Sequence, residues 1–400
     1  MPMNFTIPDE LESLRQRVHA FMHDEVLPAE GDVIAEDREG RRDTLVVLRQ
    51  KARAAGLWTP HLPRDLGGLD LGVMGMCVLF REMGRSLVGP SAFNCDAPDQ
   101  GNMDLLLHQA SEPIRERWLR PLCAGDITSA FCMTEPAPGA GADPRNLRTT
   151  ARLDGDAWVI DGHKWYSTGG EAASFLIVMA RTSDDPRHGA TLFIVDRDAP
   201  GVEHLREVET MSEPLLAHRE AELRFEGVRV GADAVLGSVG QGFQLAQARL
   251  VPARLTHCMR WLGLADRALD LCKGYLTRRI SFGKPLGRHQ AVQEMVARGA
   301  MAIHAGNLMT FHCAWLLSQG RHAEARTFSS MCKLHNARML CQVLDDAIQM
   351  HGSLGFSRDM PFGDWYRFAR SARIADGPDE VHMMVVARDY LERETSLLGP

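Results

Sequence analysis

Apolar positions along the chain change their spacing twice. From Asp9 to about Leu122 they recur at helical intervals in runs such as ELESLRQRVHAFMHDEVLPAE and PIRERWLRPLCAG, with Leu62-Pro63 and Gly67-Gly68 as punctuation. Between about Thr128 and Leu236 the segments shorten: Trp158-Val159-Ile160, Phe175 to Ala180, Leu192 to Val195, and Ala221, Leu223 and Phe225 alternating with Glu222, Arg224 and Glu226. Strict alternation is the mark of a half-buried strand. Asp154-Gly155 and Asp161-Gly162 read as turn dipeptides, which predicts antiparallel hairpins. From Gly242 the helical spacing returns, first in Leu255, Met259, Leu262 and Leu269, then over about 289–318, 322–350 and 379–395. The expected fold class is α+β: an N-terminal helical domain over 1–127, a middle antiparallel β domain over 128–237 and a C-terminal helical bundle over 238–400.

Composition narrows the function classes. The 400 residues carry 45 basic and 52 acidic side chains, a formal charge of -7. Mild acidity gives no general reason to bind nucleic acid or an anionic membrane, because phosphate affinity needs clustered Lys and Arg in excess. No stretch approaches the ~18 apolar residues of a membrane span. The opening MPMNFTIPDE lacks a secretory layout and the closing LLGP is no peroxisomal or retention address, so a cytoplasmic location is expected. The 9 cysteines include no C-x-x-C pair and read as buried reduced thiols. The 16 histidines include no H-E-x-x-H, and no metal site is expected. There is neither a G-x-G-x-x-G turn nor a Walker A loop, so a dinucleotide would bind by other means.

Four segments carry candidate chemistry. The first is Phe131-Cys132-Met133-Thr134-Glu135-Pro136 with Gly139 to Asp143, where small residues permit close approach of a ligand or another backbone; alone it reads as an interdomain turn. The second, Lys164 to Gly170, sets Trp165 and Tyr166 beside Ser167 and Thr168, a ring face with neighbouring donors that suits a flat heterocycle. Its bland reading is a strand end packing its aromatics. The third, Arg278 to Lys284 with Gln290 beyond, places basic side chains before a helix start, as a pyrophosphate site would, though a short basic run is usually a solvated face. The fourth, Arg370 to His382, crowds Asp376, Asp379 and Glu380 around a Gly-Pro turn. A carboxylate there could act as a base or simply cap a helix.

In this order and spacing the four segments change that balance. The chain resembles the acyl-CoA dehydrogenase family over essentially its whole length. It is most similar to the branch with an FNCxAPDxGNM segment, here Phe93 to Met103, and a DGPDEVH segment, here Asp376 to His382, a branch that includes the family member 11 type. The resemblance implies a C-terminal four-helix bundle and a noncovalent FAD between it and the β domain. Phe131, Met133 and Thr134 match the strand along the isoalloxazine, Gly141 and Ala142 follow it, and Tyr166, Ser167 and Thr168 match the ring-contacting turn, with Thr168 near N5. Arg279, Phe282 and Gln290 match residues that reach the FAD of a neighbouring subunit; Gln349 and Gly352 match the adenosine side, and Pro378, Asp379 and Glu380 the cofactor side of the DGPDEVH turn. A shared cofactor implies a homo-oligomer, a dimer or a tetramer.

Asp376 falls where the commonest members carry a catalytic glutamate, and the family's second location for the base holds Ala253. Its side chain is about 1.5 Å shorter in reach than Glu. Arg254 matches a family arginine beside the base, a catalytic position where its charge would hold the carboxylate ionised; Arg254, Gly377 and Ala142 also match substrate-side positions, with Ala142 standing where a serine is usual. The implied reaction converts an acyl-CoA thioester to a trans-2-enoyl-CoA, Asp376 taking the α-proton and the β-hydrogen leaving as hydride to flavin N5. An electron-transfer flavoprotein is the implied acceptor, and fatty acid β-oxidation the implied setting. The same fold also hosts nitroalkane oxidases, which use an aspartate base, and flavin-dependent hydroxylases. A family member kept only for binding or assembly is a further alternative.

Overall fold

The computed structural model describes residues 6–185, 188–213, 215–216 and 218–392; residues 1–5 and 393–400, with the start of MPMNFTIPDE and the whole of LLGP, lie outside them. The N-terminal third is helical. Helix α1 (Asp9–Phe21) runs through a π turn at Met22–Val26 into α2 (Leu27–Arg38), followed by α3 (Asp43–Ala54), α4 (Val73–Met83) and α5 (Asp99–Gln109). Acidic Asp9, Glu10 and Glu12 open α1, where the helix dipole favours negative charge. Val18, Leu45, Leu79 and Phe80 are buried in one core with the C-terminal helices, so the two helical parts share their interior.

Among the described residues, eight strands form the middle: β1 (Ser129–Cys132), β2 (Thr150–Asp154), β3 (Ala157–Thr168), β4 (Phe175–Arg181), β5 (Ala190–Asp196), β6 (Val202–Glu207), β7 (Glu220–Gly231) and β8 (Val235–Leu236). Their order is β6-β7-β3-β2-β4-β5-β8, with β1 against β4. Strand β4 is buried on both faces, and its alternation serves two cores. Phe175, Ile177 and Met179 face a cluster with Leu105, Leu122 and Leu245, whereas Leu176, Val178 and Ala180 face one with Ile160, Leu223 and Phe225. Two details differ from the sequence expectation. The sheet is mixed, because β1 pairs β4 in parallel and β2 meets β4 in parallel at Thr150 and Arg181. These pairings join segments about thirty residues apart or more and leave no local signature. Asp161-Gly162 is no hairpin turn either; it sits at a register shift within β3, where a Cβ on Gly162 would lie 2.3 Å from Thr149 Oγ1. Asp154-Gly155 does turn the β2–β3 hairpin.

The C-terminal helices are α6 (Gly242–Leu276), α7 (Gln290–Ser318), α8 (His322–His351), α9 (Phe362–Ser371) and α10 (Asp379–Glu392). Helices α6, α7 and α8 pack on one another, α10 closes against α8, and α6 also packs on α4 and α5. The α4–α6 crossing is unusually close. A Cβ on Gly263 would lie 1.9 Å from Arg81 O, and one on Gly84 would lie 2.3 Å from Arg260 O. Only glycine permits this approach, which seats α6 firmly at Arg260. Among the described residues no helix is long and apolar enough to cross a membrane.

Candidate active site

The DGPDEVH segment turns the chain at 376–378 and then forms the first turn of α10. Asp376 (φ 55) and Gly377 (φ 103) occupy the left-handed region, which Asp tolerates better than most residues and Gly freely. Donors from three helices hold the turn by its carbonyls. Arg254 Nε donates to Asp376 O at 2.8 Å, His382 Nε2 to the same oxygen at 3.3 Å, and Lys333 Nζ to Gly377 O at 2.6 Å. Burial pushes Lys333 down to about 8, with Asp376 and Asp379 opposing that fall. Asp379 opens α10 but faces inward, its Oδ2 accepting from Arg338 at 3.0 Å and Arg373 at 2.8 Å. Pro378 is half-buried and Glu380 exposed.

The Asp376 carboxylate itself meets His257 of α6, Nε2 to Oδ2 at 3.3 Å. Burial alone would raise its pKa; the His257 hydrogen bond and the charges of Arg254 and Arg249 prevail and hold it well below the usual carboxylate range. Asp376 is therefore ionised at neutral pH. Arg254 touches the turn's backbone rather than this carboxylate, so its influence on the charge is through space. His257 did not stand out in the sequence. Its signal was helical spacing: it lies three residues beyond Arg254 on the same helix, and such positions share a face.

The Phe93 to Met103 segment turns out to be a junction between the three parts of the chain. Asn94 Nδ2 donates to Leu122 O, Cys95 O accepts from Arg260 Nη1 at 2.6 Å, Asp96 meets His218 at 3.1 Å, and Gln100 Oε1 accepts from Thr256 Oγ1 at 3.1 Å. Asn102 bridges Arg249 Nε of α6 and Ser129 Oγ of β1, both at 2.8 Å. Arg249 also lies 4.4 Å above the Phe131 ring. The β1 end is thereby tied to the helix that carries His257 and Arg254.

On the β domain, the Phe131–Asp143 segment is organised from inside. The buried Glu135 carboxylate accepts from Lys164 Nζ at 2.9 Å, from Arg148 N at 2.7 Å, from Thr149 N at 2.8 Å and from Ala140 N at 3.1 Å. Lys164 also donates to Met133 O at 3.0 Å. Lys164, part of the aromatic segment, is thus a fully buried strut. Phe131, Met133 and Thr134 are half-buried, while Gly141 and Ala142 are exposed. At the end of β3, Tyr166 (φ 51) is 46% exposed beside Trp165, with ring centroids 4.8 Å apart. Thr168 Oγ1 donates to Glu220 Oε2 at 3.0 Å, which keeps its lone pairs for a donor from outside the chain. Arg279, Phe282 and Gln290 are exposed around a short hairpin whose tip, Phe282-Gly283, has positive φ. Gln349 and Gly352 are exposed at the end of α8.

Sequence models of the acyl-CoA dehydrogenase N-terminal, middle and C-terminal domains match residues 8–126, 130–228 and 240–391. The chain belongs to the acyl-CoA dehydrogenase family. It is 39% identical to the probable acyl-CoA dehydrogenase FadE2 of Mycobacterium tuberculosis over 98% of each chain. It is 35% identical to acyl-CoA dehydrogenase family member 11 of Homo sapiens over 95% of this chain, and spans about half of that longer protein. Among solved structures, butyryl-CoA dehydrogenase from Megasphaera elsdenii superposes with a TM-score of 0.85 at 26% identity, covering 98% of this chain and 100% of that one. Within this family frame the residues present fit a flavin. Tyr166 supplies an uncovered ring, and the buried Ser167 Oγ has no hydrogen-bond partner among nitrogen and oxygen atoms. Thr168 keeps acceptor capacity, and nothing beyond the adjoining chain lies within 4 Å of where a Cβ on Gly141 or Gly352 would stand.

Proposed function

We propose that this family member, an FAD-dependent oxidoreductase, forms the α,β double bond of an acyl-CoA thioester with Asp376 as the base that removes the α-proton. The observation that carries the reading is the Asp376 carboxylate, ionised, three-quarters buried and fixed on a turn held by Arg254, Lys333 and His382. A base must be charged before reaction and correctly placed during it, and this arrangement supplies both. FAD, when bound, accepts the two electrons that leave the substrate.

Tyr166, Ser167 and Thr168, with Phe131, Met133 and Thr134, would hold the flavin ring on the β side. Arg279, Phe282 and Gln290 would serve a cofactor in a neighbouring copy, which makes the working unit a homo-oligomer. The backbone N–H of Asp376 would polarise the thioester carbonyl and so acidify the α-proton. Arg254 and Gly377 would border the thioester. An electron-transfer flavoprotein is the proposed acceptor, with a cytoplasmic location.

The test is anaerobic titration of the purified protein with a panel of acyl-CoAs, followed by admission of air. Bleaching of the flavin band with slow reoxidation supports the reading. An inert response to acyl-CoAs, with bleaching by a nitroalkane and rapid recovery in air, would replace it with the oxidase alternative. Asp376→Asn is expected to retain FAD and lower turnover by about a thousandfold or more, the upper range for loss of a general base.

A further inference from the structure

We propose that His257 is a positioning residue for Asp376, a neutral imidazole whose tautomer Arg260 fixes so that its Nε2–H holds the carboxylate in the orientation needed for proton abstraction. The proposal rests on the reading of Asp376 as the base. Its geometry is a relay of four groups. Cys95 O accepts from Arg260 Nη1 at 2.6 Å, Arg260 Nη2 donates to His257 Nδ1 at 3.0 Å, and His257 Nε2 lies 3.3 Å from Asp376 Oδ2. A guanidinium can only donate. His257 Nδ1 must therefore be an acceptor, and the ring proton must sit on Nε2, facing the carboxylate.

The surroundings fix each member. Arg260 is buried and stands at the close α4–α6 crossing, while the imidazole stacks on Trp261, centroids 5.6 Å apart and planes 21° from parallel. The charged groups that act on His257 are Arg260 on its own helix, Asp376 on the turn and Asp96 on the Phe93–Met103 segment. Burial and the Arg260 charge together push the imidazole down, against the pull of Asp376 and Asp96, so the ring is neutral at pH 7. A protonated ring would point Nδ1–H at the Arg260 N–H, setting donor against donor and charge against charge. Asp is a short base, and the His257 contact to its carboxylate removes rotational freedom that the donors to the turn's carbonyls leave untouched.

The test compares wild type, His257→Ala, His257→Gln and Asp376→Asn in the FAD-loaded protein. His257→Ala is expected to lower kcat about 100-fold, as for a misplaced reacting group, with KM and FAD content near wild type. Removing the donor also lets burial raise the Asp376 pKa, so the acid limb of kcat/KM moves to higher pH. Isotope-edited NMR of the substrate-free protein should show the Asp376 carboxyl titrating at higher pH in the same variant. The Gln amide can accept from Arg260 and donate to Asp376, so His257→Gln should recover most of the rate and return the acid limb towards wild type. Wild-type kcat in His257→Ala beside an inactive Asp376→Asn overturns the His257 assignment alone. Equal losses in both His257 variants with an unmoved acid limb also overturn it, because the ring would then only fill space. Wild-type turnover in Asp376→Asn overturns the base and the positioning role together.

Discussion

The Asp376 turn and the Arg279–Gln290 hairpin both lie in the C-terminal third, and both carry residues matched to the family's functional positions, yet they are built in opposite ways. At the turn, most polar groups are answered from within the chain: carbonyls by Arg254, Lys333 and His382, and one oxygen of each carboxylate by His257 or by Arg338 and Arg373, leaving Asp379 Oδ1 and His382 Nδ1 without a partner among the described residues. At the hairpin, Ile280 is 63% exposed and Phe282 94% exposed, and Arg279 and Gln290 face outward. On the proposed reading, the turn would hold a base ready before substrate arrives, and its own fold supplies most of its contacts. The hairpin would serve a neighbouring copy, and its side chains stay uncommitted.

Breaking the internally satisfied kind of site should cost most. The Glu135–Lys164 pair is its counterpart in the β domain, and Lys164→Met strands a buried carboxylate, so we expect a loss of roughly 3–5 kcal/mol, read as a fall in Tm. The pair also has a pH signature. Burial alone would raise Glu135, but Lys164 and the Thr149 hydrogen bonds prevail and lower it from 4.5 to about 2. The folded value lies below the unfolded one, so this contribution is fully present above pH 4.5 and is lost as pH falls towards 2. Lys164→Met should flatten acid denaturation in that window. At the turn, Lys333→Met leaves the Gly377 carbonyl without its Nζ donor, and a smaller loss of about 1–3 kcal/mol is expected together with reduced turnover. The hairpin sharpens the contrast from the other side. Arg279→Ala should leave the stability of the isolated chain within about 0.5 kcal/mol, as an exposed substitution does. It should nonetheless weaken FAD retention and oligomer assembly together, measured by flavin absorbance across a sizing column. Unchanged FAD content and unchanged assembly would remove the hairpin from the cofactor site.

The helical parts were legible in the sequence because a 3.6-residue period leaves a long record. The expected runs 289–318 and 322–350 correspond to helices Gln290–Ser318 and His322–His351. Helix α10 likewise accounts for the run expected from 379, as far as the described residues extend. Strand β4 was legible as an apolar run, but its service to two cores was not, since a continuous run does not say what covers each face. The parallel pairing of β1 with β4 was invisible for the same reason: strand partners distant in sequence share no local pattern. Asp161-Gly162 misled because a glycine required for close approach to Thr149 looks the same in sequence as one required for a turn.

At the candidate site, the sequence marked Asp376 and Arg254 through segments whose order and spacing resemble a family. It could not mark His257 or Arg260. A histidine on a helix face has no chemistry until an acceptor on one side and a donor on the other give its two nitrogens different tasks, and Cys95 and Asp376 come from segments on either side of α6 in the chain. Lys164 likewise had no task in the sequence beyond opening the aromatic segment, until its burial against Glu135 revealed a strut. The sequence by itself determined the helical, β, helical order and the residue types available for chemistry, because periodicity and side-chain identity are local properties. Only the tertiary structure decided which nitrogen of His257 faces Asp376, which carbonyls hold the turn and which charges are buried together, because hydrogen-bond direction and burial exist only between segments that folding brings into contact.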